Sequence, residues 1–135
     1  MYETVADHES AMRAAREAAG RAYAPYSGFN VGAALVTGGG ALYAGCNVEN
    51  ASYGLSMCAE RNAVGAMVLA GGDRRIEFVA VHSPQVAPCL PCGACRQVLK
   101  EFGCREVIVE KRGRLRAYSF EEILPNAFGP EDLRS

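Results

Sequence analysis

The stretch "IEFVAVHSPQVAPCLPCGACRQVLKEFGCREVIVE", residues 76–110, decides how this chain folds. Its opening, "IEFVAVH", is rich in apolar and β-branched residues and reads as a buried strand. "SPQVAPCLP" carries three prolines and reads as a loop. "CGACRQVLKEFG" reads as a helix closed by Gly103. "EVIVE" reads as a further strand. Strands alternating with helices point to a partly parallel sheet with helices on its faces.

Upstream, "CAERNAVGAMVLAGG", residues 58–72, reads as a helix ending at a glycine pair. Before it, "NVGAALV" and "ALYAGCNV" read as two short strands joined by "TGGG", a hairpin turn. Those glycines are not a phosphate loop, because no helix with a lysine follows them. Residues 8–22, "HESAMRAAREAAGRA", read as a surface helix, which "YAPYSGF" breaks. Downstream, "RLRAYS" reads as another strand and "FEEILP" as a short helix. The tail "NAFGPEDLRS" reads as irregular. There is no repeat, linker or low-complexity segment, so residues 1–135 are expected to form one domain.

The bulk composition narrows the function classes. Half of the 135 residues are hydrophobic, enough for a core without disulfide staples. Fourteen basic residues against fifteen acidic ones give a net charge of −1, which supplies no field to attract nucleic acid or anionic lipid. "EKRGRLR", residues 110–116, is therefore read as a solvated turn rather than an RNA patch. The beginning, "MYETVADHES", is polar and acidic, unlike a secretory leader. No apolar run approaches the roughly 20 residues of a membrane span. The expectation is a cytoplasmic protein.

Six cysteines in a reducing compartment point to metal or redox chemistry before disulfides. Cys92 and Cys95 are spaced C-x-x-C at one predicted helix start, and Cys58 stands at another. A helix N-terminus carries partial positive charge and favours thiolate over thiol. Three thiolates are a soft ligand set suited to Zn²⁺, and three protein ligands leave a fourth position for water. Cys89 could close the site and make it structural, but Cys58 has no paired ligand nearby. A redox pair is the other reading of C-x-x-C, though the rest of a thioredoxin-like unit is missing. Glu60, two residues after Cys58, can carry a proton beside the metal without ligating it. Arg61 can donate to the ligand sulfurs and offset their charge. Cys46 and Cys104 read as small buried hydrophobes. His8 and His82 show no partner pattern.

"VGAAL", "GCNVENASYGLSMCAER", "PCGACRQVL" and "ILP…AFG" together resemble the small homotetrameric zinc-dependent cytidine deaminases. That resemblance implies an α/β fold, three layers α/β/α around a mixed five-stranded sheet. It implies hydrolysis of cytidine and deoxycytidine to uridine and deoxyuridine plus ammonia, as in pyrimidine salvage. Water activated at zinc would attack C4, with Glu60 as proton shuttle and Cys58, Cys92 and Cys95 as ligands. The backbone at Ala59 and Cys92 would read the pyrimidine edge. Asn47 and Glu49 would hold the ribose hydroxyls, and Phe29 would pack against the base. Phe128 would reach into a neighbouring subunit's site, with Tyr53 also near an intersubunit site. Without the resemblance, Phe29 and Phe128 rank first as core residues. Cys89 and Leu90 depart from the smaller polar residues expected beside the motif. The rivals are a nucleoside-analogue deaminase of the blasticidin S type and a non-catalytic structural zinc module. "CNVENAS" argues for the ribose-reading form. A deaminase of polynucleotides would need a basic channel, which the composition does not supply.

Overall fold

A computed structural model describes residues 6–134; the start of the polar N-terminal stretch read above, residues 1–5, lies outside the described residues. The elements run α1 (His8–Ala19), β1 (Gly32–Thr37), β2 (Leu42–Cys46), α2 (Ala59–Ala70), β3 (Ile76–His82), α3 (Gly93–Glu101), β4 (Glu106–Lys111), β5 (Arg114–Ser119) and α4 (Phe120–Ile123). Short 3₁₀ turns occupy Tyr53–Leu55 and Pro130–Leu133. The second of these lies in the tail that reads as irregular. Pro130 opens it with its φ already set, and the Asp132 carboxylate accepts from the Gly129 N–H at 2.8 Å.

The five strands lie in the order β2-β1-β3-β4-β5. Only β3 and β4 are parallel, joined across α3; the other pairs are antiparallel. The sheet is thus mixed, as the alternation in residues 76–110 requires. Successive side chains of a strand point to opposite faces, so each strand serves two cores. Ala34, Val36, Phe78, Ala80 and Ile108 face α1, which covers them with Met12 and Ala15. Leu35, Val79, Val107 and Val109 face the other way, toward Ala63 and Met67 of α2, Leu99 of α3 and Phe120 of α4. Three layers result.

Local signals set the helix ends. Asp7 accepts from the Ser10 N–H at 2.8 Å, while Ser10 Oγ accepts from the Asp7 N–H, a reciprocal cap. α1 stops at Ala19, short of the 8–22 expectation, because Tyr23 leaves to form an isolated bridge with Val48. α2 closes on Gly71, whose φ of 82° lies in the left-handed region. The β4–β5 turn is built from Arg112 and Gly113, both at positive φ, which places "EKRGRLR" in an exposed hairpin.

Two positions tie the layers together. Gly45 on β2 lies under α2. A Cβ there would stand 2.5 Å from Ala63 N and 2.6 Å from Ala59 O, both backbone atoms that cannot rotate away. The first turn of α2 therefore rests directly on the sheet. On the opposite side, Glu110 accepts from Arg16 Nη2 at 2.6 Å and pairs with His82 Nδ1 at 2.6 Å. His82, for which the sequence offers no partner, is thus bound across strands to a carboxylate and through it to α1. Other expectations are corrected. Cys104 is buried, but Cys46 is only half-buried, with its Sγ 3.7 Å from the Arg21 carbonyl. Phe29 and Phe128, read without the resemblance as core, are 36% and 58% exposed, because neither lies on a face that the sheet covers. Among the described residues no helix is long and apolar enough to cross a membrane.

Gly45→Ala is expected to lose about 1–3 kcal/mol, the usual cost of overpacking, and to lower zinc retention by shifting the start of α2. Urea unfolding with metal analysis checks both. Glu110 is held below its ordinary carboxylate range, first by the Arg16 hydrogen bond. A depressed acid contributes stability above its unfolded pKa and loses it as pH falls through the folded one. Glu110→Gln is therefore expected to lose about 1 kcal/mol at neutral pH, a modest value because the pair is partly exposed. The gap to the parent should narrow as pH drops from about 6 to about 3. A gap independent of pH in urea midpoints would remove the ionised carboxylate from this account.

Candidate metal centre

Two helices begin at the same place. Cys58 is the N-cap of α2 and Cys92 the N-cap of α3, both in extended backbone conformation. Neither side chain caps its helix by a hydrogen bond, so both sulfurs remain free for another partner. Cys95, three residues into α3, lies on the same helix face as Cys92 and is fully buried. The Sγ atoms of Cys58, Cys92 and Cys95 all lie within 4.8 Å of one another, and the Cys58–Cys92 pair is 3.7 Å apart. Tetrahedral zinc, with Zn–S near 2.3 Å, holds its sulfurs about 3.8 Å apart, so the trio fits such an ion. It is the only such group of metal-ligating side chains among the described residues. Cys89 stands outside it, so the trio could offer an ion three protein ligands and leave its fourth position to water. All six cysteines are free thiols.

The electrostatics favour ligation. The Cys58 thiol is drawn down to about 5, first by a hydrogen bond from Cys95, then by Arg61 and Cys92. Cys95, the donor in that contact, is held above its ordinary range for the same reason. The first proton thus leaves the cluster readily while the next is retained, as in any set of close like charges. Arg61 Nη2 donates to Cys58 Sγ at 3.4 Å, and its Nε is buried without a partner. This places the guanidinium against the sulfurs, behind the cluster.

Glu60 is 4% exposed and pushed up to about 6, chiefly by burial and then by the Cys58 charge. Its neighbour Ala59 is the first residue of α2, with no exposed surface. Glu60, Ala59, Cys58 and Cys92 line one cavity of about 250 Å³, together with Phe29, Asn47, Glu49, Cys89 and Leu90. Burial pushes the Cys89 thiol up to about 11, with the Glu60 charge adding to it. Cys89 is therefore a neutral wall of this cavity. The cavity can hold a small, flat, polar molecule between an aromatic ring, a buried carboxylate and a sulfur cluster.

Asn47 and Glu49 reach the cavity already engaged. Asn47 Oδ1 accepts from the Val31 N–H at 2.8 Å, and its Nδ2 donates to the Phe29 carbonyl at 2.8 Å. Glu49 Oε1 accepts from the N–H groups of Tyr26 and Ser27 at 3.0 and 3.1 Å. Two aromatic residues stand elsewhere. Tyr53 is 75% exposed in an adjoining cavity with Tyr26, and Phe128 lies in a separate cleft beside Gln97, which donates to its carbonyl at 2.9 Å. A single chain does not bring either of them to the sulfur cluster.

Residues with no motif signal hold the centre together. Arg96 donates to the carbonyls of Pro91 and Ile123, both at 2.7 Å, which fixes the loop entering Cys92. Asn62 Nδ2 donates to the Cys46 carbonyl at 2.8 Å, tying α2 to β2. An arginine or asparagine inside a helix is ordinary in sequence, and only its carbonyl partner, distant along the chain, marks its role.

Comparison with known proteins agrees with this geometry. Residues 5–111 match the family described as "Cytidine and deoxycytidylate deaminase zinc-binding region". The chain is 44% identical over 119 residues to a cytidine deaminase of Mycobacterium tuberculosis, covering 88% of this chain and 87% of that one. It is 41% identical over 130 residues to a cytidine deaminase of Sporosarcina psychrophila, covering 94% and 95%. The crystal structure of a cytidine deaminase from Burkholderia pseudomallei superposes with a TM-score of 0.83 at 47% identity, over 91% of this chain and all of that one.

Cys95→Ala should lose stoichiometric zinc and, with it, folding stability, because a buried ligand leaves a gap that cannot be refilled. Metal analysis of the purified protein checks this. Full zinc occupancy in Cys95→Ala would remove that sulfur from the ligand set.

Proposed function

The chain belongs to the cytidine and deoxycytidylate deaminase family, and from that premise we propose that it hydrolyses cytidine and deoxycytidine to uridine and deoxyuridine with release of ammonia. The observation that carries the reading is the buried Glu60 carboxylate beside three convergent thiols in one cavity. Cys58, Cys92 and Cys95 would hold a zinc ion. When bound there, zinc supplies Lewis acidity that makes water nucleophilic near neutral pH.

The chain's own residues do the remaining work. Glu60 takes a proton from the water that attacks C4 and gives it to ring N3. It then takes the remaining proton of the new C4 hydroxyl and gives it to the 4-amino group, which leaves as ammonia as the C4–N bond breaks and the C4 carbonyl forms. An acid with a pKa near 6 can both accept and return a proton near neutrality. Arg61 offsets part of the charge of three thiolates, so that the ion keeps its acidity. The backbone N–H of Ala59 is one of the first-turn donors of α2 with no partner inside the helix, free for the pyrimidine edge. The backbone at Cys92 faces the same edge. Phe29 packs against the base. Asn47 and Glu49 meet the sugar hydroxyls, while Cys89 and Leu90 close the wall next to Cys92.

The reading extends to assembly and setting. Phe128 and Tyr53 are exposed aromatics away from their own chain's cavity, which suits residues that complete a neighbour's site. A homotetramer of single-domain chains, working on free nucleosides in the cytoplasm as part of pyrimidine salvage, is the arrangement we propose. Two carboxylates, Glu49 and Glu60, line the cavity, and no lysine or arginine is among its lining residues. That charge pattern suits a neutral nucleoside and opposes a nucleotide phosphate.

Zinc-loaded protein should turn over cytidine and deoxycytidine, followed by loss of the cytidine absorbance band, and leave CMP, adenosine and blasticidin S unchanged. Glu60→Gln should keep its zinc and lose about 10²–10⁴ in kcat, the usual share of a general acid/base. Near-normal turnover in that variant would take Glu60 out of the mechanism. Bound zinc with no turnover by the parent would indicate a structural module instead.

A further inference from the structure

The "YSGF" turn, residues 26–29, joins the two ends of the cavity through one hydroxyl. Ser27 Oγ contacts two groups of fixed polarity. Glu49 Oε2, as an ionised carboxylate, can only accept, so Ser27 donates its single hydroxyl hydrogen to it. The Phe29 N–H can only donate, so Ser27 Oγ accepts from it at 3.0 Å. Gly28 between them takes a φ of 69°, which folds the backbone so that Phe29 N reaches back to Ser27.

The carboxylate bookkeeping gives this contact a direction. An ionised carboxylate offers about four acceptor positions. Glu49 fills three of them from the turn: Tyr26 N, Ser27 N and Ser27 Oγ. Both backbone donors lie on Oε1, so Ser27 Oγ is the donor that sets where Oε2 stands. The acceptor position left over is on that oxygen, and Glu49 lines both the cavity beside the sulfurs and the adjoining one. Ser27 itself does not line the cavity beside the sulfurs; it lines the adjoining one, together with Glu49.

We propose that Ser27 is a positioning residue for the sugar: its hydroxyl aims Glu49 Oε2 at a ribose hydroxyl and ties that carboxylate to the backbone of Phe29. The inference rests on Glu49 meeting the sugar, as proposed above. It adds that a side chain outside the cavity holds Glu49 where it does so. Ser27 also contributes the largest of the effects that keep Glu49 below its ordinary carboxylate range.

The test compares kcat/KM for cytidine with that for 2′,3′-dideoxycytidine, which has the base but neither ring hydroxyl. Ser27→Ala should lower kcat/KM for cytidine about tenfold, mostly through KM, and change that for the dideoxy analogue little; tenfold is the scale of one charge-assisted hydrogen bond. The preference for cytidine then shrinks, while zinc content and kcat stay near those of the parent. Ser27→Thr, which keeps the hydroxyl, should restore the preference. Ser27→Cys, a weaker donor of similar size, carries the same comparison if the alanine variant does not fold. An equal fall on both substrates, or no fall, would overturn the positioning role and leave Ser27 a plain turn residue. Glu49→Gln separates the two layers. If it leaves the preference intact, the sugar role of Glu49 fails; if it shrinks the preference while Ser27→Ala does not, only the Ser27 inference fails.

Discussion

The meeting of two helix N-termini at a cluster of sulfurs is the constraint on which the rest of this molecule turns. Each helix start carries partial positive charge and unpaired N–H groups, so two of them side by side oppose one another. Cys58 and Cys92, as the N-caps, put polarizable sulfur between those ends, and Cys95 adds another from beneath. Thiolate character at Cys58 follows from that setting. A divalent cation then satisfies what the helix ends alone cannot, a set of negative sulfurs crowded into a few ångströms. Arg61 supplies positive charge from the far side. Glu60 is carried into the same low-dielectric place by the first turn of α2, and its raised pKa is a consequence of that burial.

The sheet exists, in functional terms, to keep those two helix starts together. β3 and β4 are parallel because α3 crosses between them, and the loop before α3 delivers Cys92 at one end of the sheet. α2 reaches the same end because β2 presents Gly45, where backbone meets backbone. Arg96 and Asn62 then fasten the two helices to the carbonyls of neighbouring segments. None of these contacts is chemical in the sense of the reaction. Each removes a degree of freedom from a sulfur or from Glu60.

The opposite wall obeys a different logic. It is made from irregular chain, residues 23–31 and 47–57, whose backbone groups have little ladder to join. Asn47 and Glu49 supply the missing partners with their side chains, and so they brace the wall. This bracing explains how an exposed loop can hold Phe29 in a defined place. It also makes the loop sensitive to the polar groups behind it, in contrast to the helix side, which depends on packing.

Much of this was legible in the residues themselves. The alternation across 76–110 dictated a mixed sheet, because a strand, a helix and a strand in that order leave few other arrangements. The C-x-x-C spacing placed two sulfurs on one helix face, and "CAE" set a third sulfur beside a carboxylate, because helical periodicity acts within a few residues. Other features had no local signature. The distance between Cys58 and Cys92 depends on how α2 lies on β2. The partner of His82 is a glutamate 28 residues away, and the carbonyls held by Arg96 and Asn62 belong to other elements. Phe29 and Phe128 read as core from hydrophobicity alone, yet both are exposed, because burial is decided by which faces the layers happen to cover. Sequence by itself therefore determined the elements, the clustered thiol types and the acid beside them, since these follow from short-range periodicity and donor chemistry. Only the tertiary structure decided which groups meet, because contact between distant segments is set by packing of the whole sheet and not by spacing along the chain.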